Sequence, residues 1–230
     1  MRLSWVICVL LLTHLHTADC YAQADVDTAA RKRDAQIVFL LDVSNSMARD
    51  NKMKLLKNSS AELLKLLDRD DMISLMTFGD LVNLVYHTTS YPGPDSLLKV
   101  ISKVRSAASA TNINGGIFDA YDLIKTSTKA KGKETKRVEK KRLKSGPQQD
   151  YLSRDNHVLL ITDGLFELNE FSKQLVCDHP YIQLTCVIVG KGKAAEEAVK
   201  YVREELQLKV ITLIDEEKDV SRLAEILERK

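Results

Sequence analysis

From residue 35 onward, short unbroken apolar runs alternate with repeats at helical spacing. Ile37-Val38-Phe39-Leu40-Leu41 is continuously apolar, as expected of a central parallel strand covered on both faces. Met53, Leu56, Ser60, Leu63 and Leu67 then recur every three or four residues, which predicts a helix with one buried face. A second strand over 72–78 leads through Gly79-Asp80 into 81–86, a hairpin signature. Pro92-Gly93-Pro94 breaks the chain, and Asp95 is placed to cap a short helix carrying Leu97, Leu98, Ile101 and Val104. Another helix bears Ile117, Ala120, Tyr121 and Ile124. Strands predicted at 157–162, 182–189 and 210–214 then alternate with helices at 169–176, 195–206 and 220–227.

Strands separated by helices predict a doubly wound α/β domain, in which a six-stranded, mostly parallel sheet has one antiparallel edge strand and helices on both faces. No internal repeat interrupts the pattern. The domain is expected over 35–228, a length that supports a full hydrophobic core.

Residues before this domain read differently. Arg2 precedes the apolar run Trp5-Val6-Ile7-Cys8-Val9-Leu10-Leu11-Leu12, which Thr13, His14 and His16 dilute. A membrane span needs roughly 20 apolar residues. This run is too short, and no other stretch qualifies, so no transmembrane span is expected. A basic start, a short apolar centre and small residues near Ala22 and Ala24 predict a secretory signal peptide over 1–22. The protein is therefore expected to be exported, whether periplasmic, in the cell envelope or secreted. Acylation of Cys20 is the lesser alternative, because Asp19 stands where lipoprotein processing wants a small neutral residue. Cys177 and Cys186 remain after cleavage and are expected to pack as separate thiols.

Charge adds one feature. Thirty-four Lys and Arg against 32 Asp and Glu leave the chain at +2, which by itself points to no polyanionic partner. Between Lys129 and Lys144, however, nine basic residues meet only Glu134 and Glu139. This basic segment forms the centre of an insertion at about 127–156. It reads as a solvated insertion or, alternatively, as a strap for an anionic partner. It carries almost no aromatic residues to stack on bases, so no nucleic acid is expected.

Candidate chemistry lies at the carboxyl ends of the strands, where such sheets bind ligands. The first strand ends in Asp42-Val43-Ser44-Asn45-Ser46, a loop before the third helix contains Thr111-Asn112, and the fourth strand ends in Thr162-Asp163-Gly164. In an extended segment Asp42, Ser44 and Ser46 face one way. Hydroxyls and carboxylates without sulfur or imidazole form an all-oxygen set that hard divalent cations choose. Mg²⁺ is the first expectation, with Mn²⁺ and Ca²⁺ as alternatives. Each cluster alone is also explained by turn and capping chemistry. Their joint placement at the strand ends of one fold is far less ordinary.

Taken in order, Asp42, Ser44, Ser46, Thr111 and Asp163 match the Asp-x-Ser-x-Ser, Thr, Asp pattern of a metal-ion-dependent adhesion site. The chain from about Ala35 to Leu227 resembles a von Willebrand factor type A domain of the integrin inserted-domain kind, in its bacterial exported form. Phe39-Leu40-Leu41, Gly115-Gly116 and Leu160-Ile161-Thr162-Asp163-Gly164 add to the likeness. The resemblance implies a Rossmann-like fold in which Ser44 and Ser46 ligate the metal and Thr111 does so directly or through water. It also implies that Asp42 and Asp163 hold metal-bound waters. One coordination position would then await an Asp or Glu carboxylate from a protein partner. Two departures stand out: Ser109-Ala110 precede Thr111 where the family often has glycines, and the 127–156 segment exceeds a compact domain.

The resemblance thus implies an exported, metal-dependent protein-binding module for adhesion or assembly, not an enzyme. Two alternatives are a structural subunit of a cell-envelope assembly with a loop-stabilising metal and a metal-dependent hydrolase. Against the hydrolase, no Gly-x-Ser-x-Gly elbow and no zinc-spaced Cys/His pair occurs. His87, His157 and His179 read as isolated histidines, and Gly190-Lys191-Gly192-Lys193 reads as a turn without phosphate-loop spacing.

Overall fold

The computed structural model describes residues 34–134, 154–164 and 166–213, all within the compact unit Lys32–Lys230. The proposed signal peptide with Cys20, most of the basic segment beyond Glu134 and the expected closing helix at 220–227 lie outside the described residues. The elements are β1 (Ala35–Asp42), α1 (Lys52–Lys65), β2 (Met72–Phe78), β3 (Val82–Thr88), α2 (Pro94–Lys103), α3 (Ile113–Glu134), β4 (Asp155–Thr162), α4 (Glu170–Asp178), β5 (Ile182–Val189), α5 (Lys193–Lys200) and β6 (Lys209–Leu213).

The six strands lie in the order β3-β2-β1-β4-β5-β6. All neighbours are parallel except β2 and β3, which form the expected antiparallel edge. The chain leaves β1 first toward β2 on one side and later toward β4 on the other. The strand order therefore reverses between β1 and β4, where sheets of this kind open a crevice at their carboxyl ends.

Every residue of β1 is buried, because its two faces serve two cores. Ile37, Phe39 and Leu41 pack with Leu56, Leu63 and Leu64 of α1 and Leu97 and Ile101 of α2. Val38 and Leu40 pack with Ile117, Tyr121 and Ile124 of α3 and Leu175 and Val176 of α4. Each large side chain so buried contributes about 1.5–3 kcal/mol of transfer free energy, which holds the strand ends where the loops require them. At the edge, β3 covers only one side of β2 and leaves Leu84 and Val85 exposed.

Three local readings change. Gly93, not Asp95, is the N-cap of α2; Asp95 sits in the first turn, where its charge suits the helix dipole. α3 starts at Ile113 and runs to Glu134, so it takes up the beginning of the basic segment. The 195–206 helix divides into α5 and a π-helical turn, Tyr201–Glu205. Cys177 and Cys186 are not bridged to each other, and full burial pushes the Cys186 thiol up to about 12.

Candidate metal centre

β1 and β4 deliver Asp42 and Thr162 side by side at the switch point. Asp42 Oδ2 accepts the Thr162 hydroxyl at 2.6 Å, and its Oδ1 accepts the backbone N–H of Ser44 at 2.8 Å. The chain then winds into a 3₁₀ turn, Asn45–Ala48, anchored by buried Met47. This turn brings the Ser44 and Ser46 hydroxyl oxygens to 2.9 Å from each other. Ser46 Oγ donates onward to Asp163 Oδ1 at 2.8 Å. Four of the five expected residues, Asp42, Ser44, Ser46 and Asp163, thus form one hydrogen-bonded chain.

Thr111 lies apart from that chain, on an exposed loop beside it. Among the described residues it makes no hydrogen bond to the other four. Its loop is nevertheless pinned in place. Ala107 and Ala108 donate their N–H groups to Val43 O at 3.0 and 3.1 Å, and Asn45 N–H donates to Ala108 O at 2.9 Å. Gly79 permits the close approach, since a Cβ there would overlap the Ala108 side chain. Beyond it, Asn112 N–H reaches Gly79 O at 2.7 Å.

Asp80 completes the support, a role sequence reasoning missed because Gly79-Asp80 reads as a hairpin turn. Its carboxylate accepts the Ser109 N–H and hydroxyl, each at 3.0 Å, and the Ala110 N–H at 2.7 Å. These donors, the Ser109 amide foremost, hold the Asp80 carboxyl below its ordinary value. The non-glycine residues before Thr111 thereby find a use: the Ser109 hydroxyl belongs to this clamp.

The electrostatics of the site are uneven. Asp42 is 1% exposed, and burial raises its carboxyl above the ordinary value, with a small contribution from Asp163. The Ser44 and Thr162 hydrogen bonds oppose that rise. Asp163 instead has a cation of its own, for Lys52 Nζ lies 2.6 Å from Asp163 Oδ2. Lys52 was not among the expected residues either. Chemically, the site offers hydroxyl oxygens and two carboxylates on one rim, a donor set that hard cations take.

The histidines stand elsewhere: His87 meets Ser74 on the edge hairpin, and His179 bonds Leu175 O at the end of α4. Gly190 through Lys193 forms the turn into α5, with Gly192 as its N-cap.

Residues 37–165 match the sequence model of the von Willebrand factor type A domain. The chain belongs to the von Willebrand factor type A family. Among solved structures, this type A domain is similar to a von Willebrand factor type A protein from Catenulispora acidiphila, with a TM-score of 0.61 and 14% identity over 84% of this chain and 42% of that one. It is also similar to proximal thread matrix protein 1 from the mussel byssus with a zinc-occupied MIDAS motif, with a TM-score of 0.58 and 13% identity over 85% of this chain and 48% of the other. A third similar structure is the manganese-loaded TRAP protein of Plasmodium vivax, with a TM-score of 0.51 and 14% identity over 74% and 62% of the two chains. The chain spans less than half the length of the Catenulispora and mussel structures. No curated protein matches it. Type A relatives thus range over bacterial, mussel and parasite sources, and membership assigns no source or compartment. No helix among the described residues is long and apolar enough to cross a membrane.

Proposed function

We propose that this type A domain is an exported, non-catalytic binding module that captures an Asp or Glu side chain of a partner protein through a Mg²⁺-type cation held at Asp42, Ser44, Ser46, Thr111 and Asp163. The observation that carries the reading is the pair of serine hydroxyls. Their oxygens lie 2.9 Å apart. Together with the Asp42 and Asp163 carboxylates they make an all-oxygen set of the kind that a hard divalent cation such as Mg²⁺ takes. Mn²⁺ is the nearest substitute. The burial-raised carboxyl of Asp42 is a second sign of fit, since a cation relieves the cost of ionising it.

In this reading Ser44 and Ser46 hold the ion directly, and Asp42 and Asp163 orient its waters while balancing its charge. Thr111 approaches from the loop clamped by Asp80, so a small movement of that loop changes how closely its hydroxyl reaches the ion. When bound, the cation supplies a Lewis-acidic position with few charged protein ligands, open to an outside carboxylate. The zinc-occupied mussel site and the manganese-loaded parasite protein support a metal-dependent role. Type A domains are generally interaction modules, which supports a non-catalytic role. Export rests on the signal-like segment at 1–22, and an anionic partner for Lys129–Lys144 on its charge alone.

Calorimetric titration of Mg²⁺ into the wild type and Asp42→Ala tests the site. Saturable binding in the first and its near loss in the second are expected; equal binding in both overturns the proposal. Capture of an acidic partner from envelope extract in Mg²⁺ but not in EDTA tests the binding role.

A further inference from the structure

Nothing in the five-residue pattern contains a cation, yet the fold brings one into contact with it. Lys52 is the first residue of α1, 111 positions from Asp163 in the chain. Its ammonium donates to Asp163 Oδ2 at 2.6 Å, while Asp163 Oδ1 accepts from Ser46 at 2.8 Å. The Lys52 side chain is only 18% exposed and that of Asp163 only 3%. A strongly hydrated ammonium loses solvation in such a place and stays there only against a well-aligned partner.

Two backbone features aim this side chain. Asp50 and Asn51 both adopt left-handed conformations, with φ of 54° and 58°. This is uncommon for two consecutive non-glycine residues, although Asp and Asn tolerate it best. The paired conformations turn the chain out of the 3₁₀ turn and into α1 at Lys52. Across the site, Gly190 follows β5 with φ of 111°, and a Cβ there would come within 3.3 Å of Lys52 Cε. The lysine stem passes over a residue with no side chain to obstruct it. Ser44, Ser46, Asp163 and Lys52 therefore form one continuous hydrogen-bonded line.

We propose that Lys52 is a resident counter-cation of the metal site, which holds down its affinity for a divalent ion and couples metal binding to capture of a carboxylate. The inference rests on the metal-site reading above. Two carboxylates and one ammonium sum to a single negative charge. A divalent ion added to that set leaves one excess positive charge, which an Asp or Glu of the partner neutralises. Without Lys52, the carboxylates alone neutralise the ion, so metal binds more tightly and gains less from an outside acid. Linkage requires the converse as well: the partner's carboxylate tightens metal binding by the factor by which metal tightens the carboxylate.

The test titrates Mg²⁺ alone, and again in acetate as the simplest carboxylate, into the wild type, Lys52→Met, Lys52→Gln and Lys52→Arg, with Asp42→Ala as control. Lys52→Gln keeps a donor toward Asp163 without the charge, and so separates charge from packing if Lys52→Met folds poorly. The expected result is Mg²⁺ binding at least tenfold tighter in the Met and Gln variants and within about threefold of wild type in the Arg variant. Acetate should tighten Mg²⁺ binding to the wild type more than to either uncharged variant. Melting gives an independent readout: the uncharged variants should melt below wild type in EDTA and recover more on adding Mg²⁺. Mg²⁺ binding that is unchanged or weaker in both uncharged variants, with Asp42→Ala still abolishing it, overturns the inference and leaves the site intact. Absence of Mg²⁺ binding from the wild type and all Lys52 variants overturns the site reading and this inference together.

Discussion

Two buried aspartates stand at opposite ends of the central strands and are held by different kinds of donor. Asp71, fully buried just before β2, accepts the backbone N–H of Ala35 at 2.9 Å on one oxygen and that of Asp68 at 2.8 Å on the other. It ties the first residue of β1 to the turn leading into β2. Asp42, at the far end of β1, accepts from the backbone N–H of Ser44 and from side-chain hydroxyls, Thr162 among them. Backbone amides cannot turn away, whereas a hydroxyl can rotate to donate or accept. Asp42 also shares its surroundings with a second carboxylate, and burial raises its carboxyl. Burial of an acid is therefore no mark of function in itself. The mark is a buried acid among rotatable donors and like charge, where a cation has something to relieve.

The comparison is sharpest in stability. Asp71→Ala strands two buried amides and removes two charge-assisted bonds, so it should cost about 3 kcal/mol. Urea unfolding reads the loss, and Mg²⁺ affinity should not change. A variant that kept its stability would remove the structural half of the contrast.

Asp42→Asn should do the reverse, lowering Mg²⁺ affinity about 100-fold while sparing the fold. Because the folded-state carboxyl is raised, the folded chain holds this proton more tightly than the unfolded one. Stability thus drains away as pH climbs from the ordinary carboxylate range, about 4, through the raised value. In EDTA the asparagine variant should melt above wild type at neutral pH, and the gap should close as pH falls. A gap that widened toward acid would contradict the assignment.

Thr111→Ala should weaken capture of a partner about tenfold while changing Mg²⁺ affinity about threefold, measured by separate titrations. Asp80→Ala releases the Ser109 and Ala110 donors and should shift the same two quantities in the same direction, although it touches no site residue. Equal losses of metal and partner in both variants would place Thr111 with Asp42 rather than on a separate, adjustable loop.

The smallest effect lies at the edge hairpin. His87 Nδ1 sits 2.9 Å from Ser74 Oγ, and partial desolvation holds the imidazole below its ordinary value. The unfolded chain takes up that proton first, so stability should slip as pH drops below about 6.5. The loss should stay well under 1 kcal/mol on so exposed a strand. His87→Gln should remove the slope without altering Mg²⁺ binding.

Much of this was legible in the chain alone. β1 and the Val158–Ile161 stretch of β4 are visible as unbroken apolar runs because a strand buried on both faces has no room for alternation. The helices are visible because their buried faces repeat at helical spacing. Asp42, Ser44, Ser46 and Asp163 were legible from a motif placed at strand ends, and the structure joins those four through hydrogen bonds. Thr111 was named on the same motif, but the pattern did not show that its loop stands apart and is clamped from the hairpin side.

What the tertiary structure alone decided is which charges meet. Lys52 lies in Lys52-Met53-Lys54, where spacing along the helix reads as an ordinary solvated face, and Asp80 reads as a turn residue. Their partners are 111 and 29 residues away. Period and propensity are local properties, determined by how each residue fits its own turn or pleat. An ion pair across the sheet depends on strand order, on two left-handed residues before α1 and on a glycine that leaves space at the end of β5. Those conditions are met only when the whole sheet has closed, so no short window of the sequence contains them.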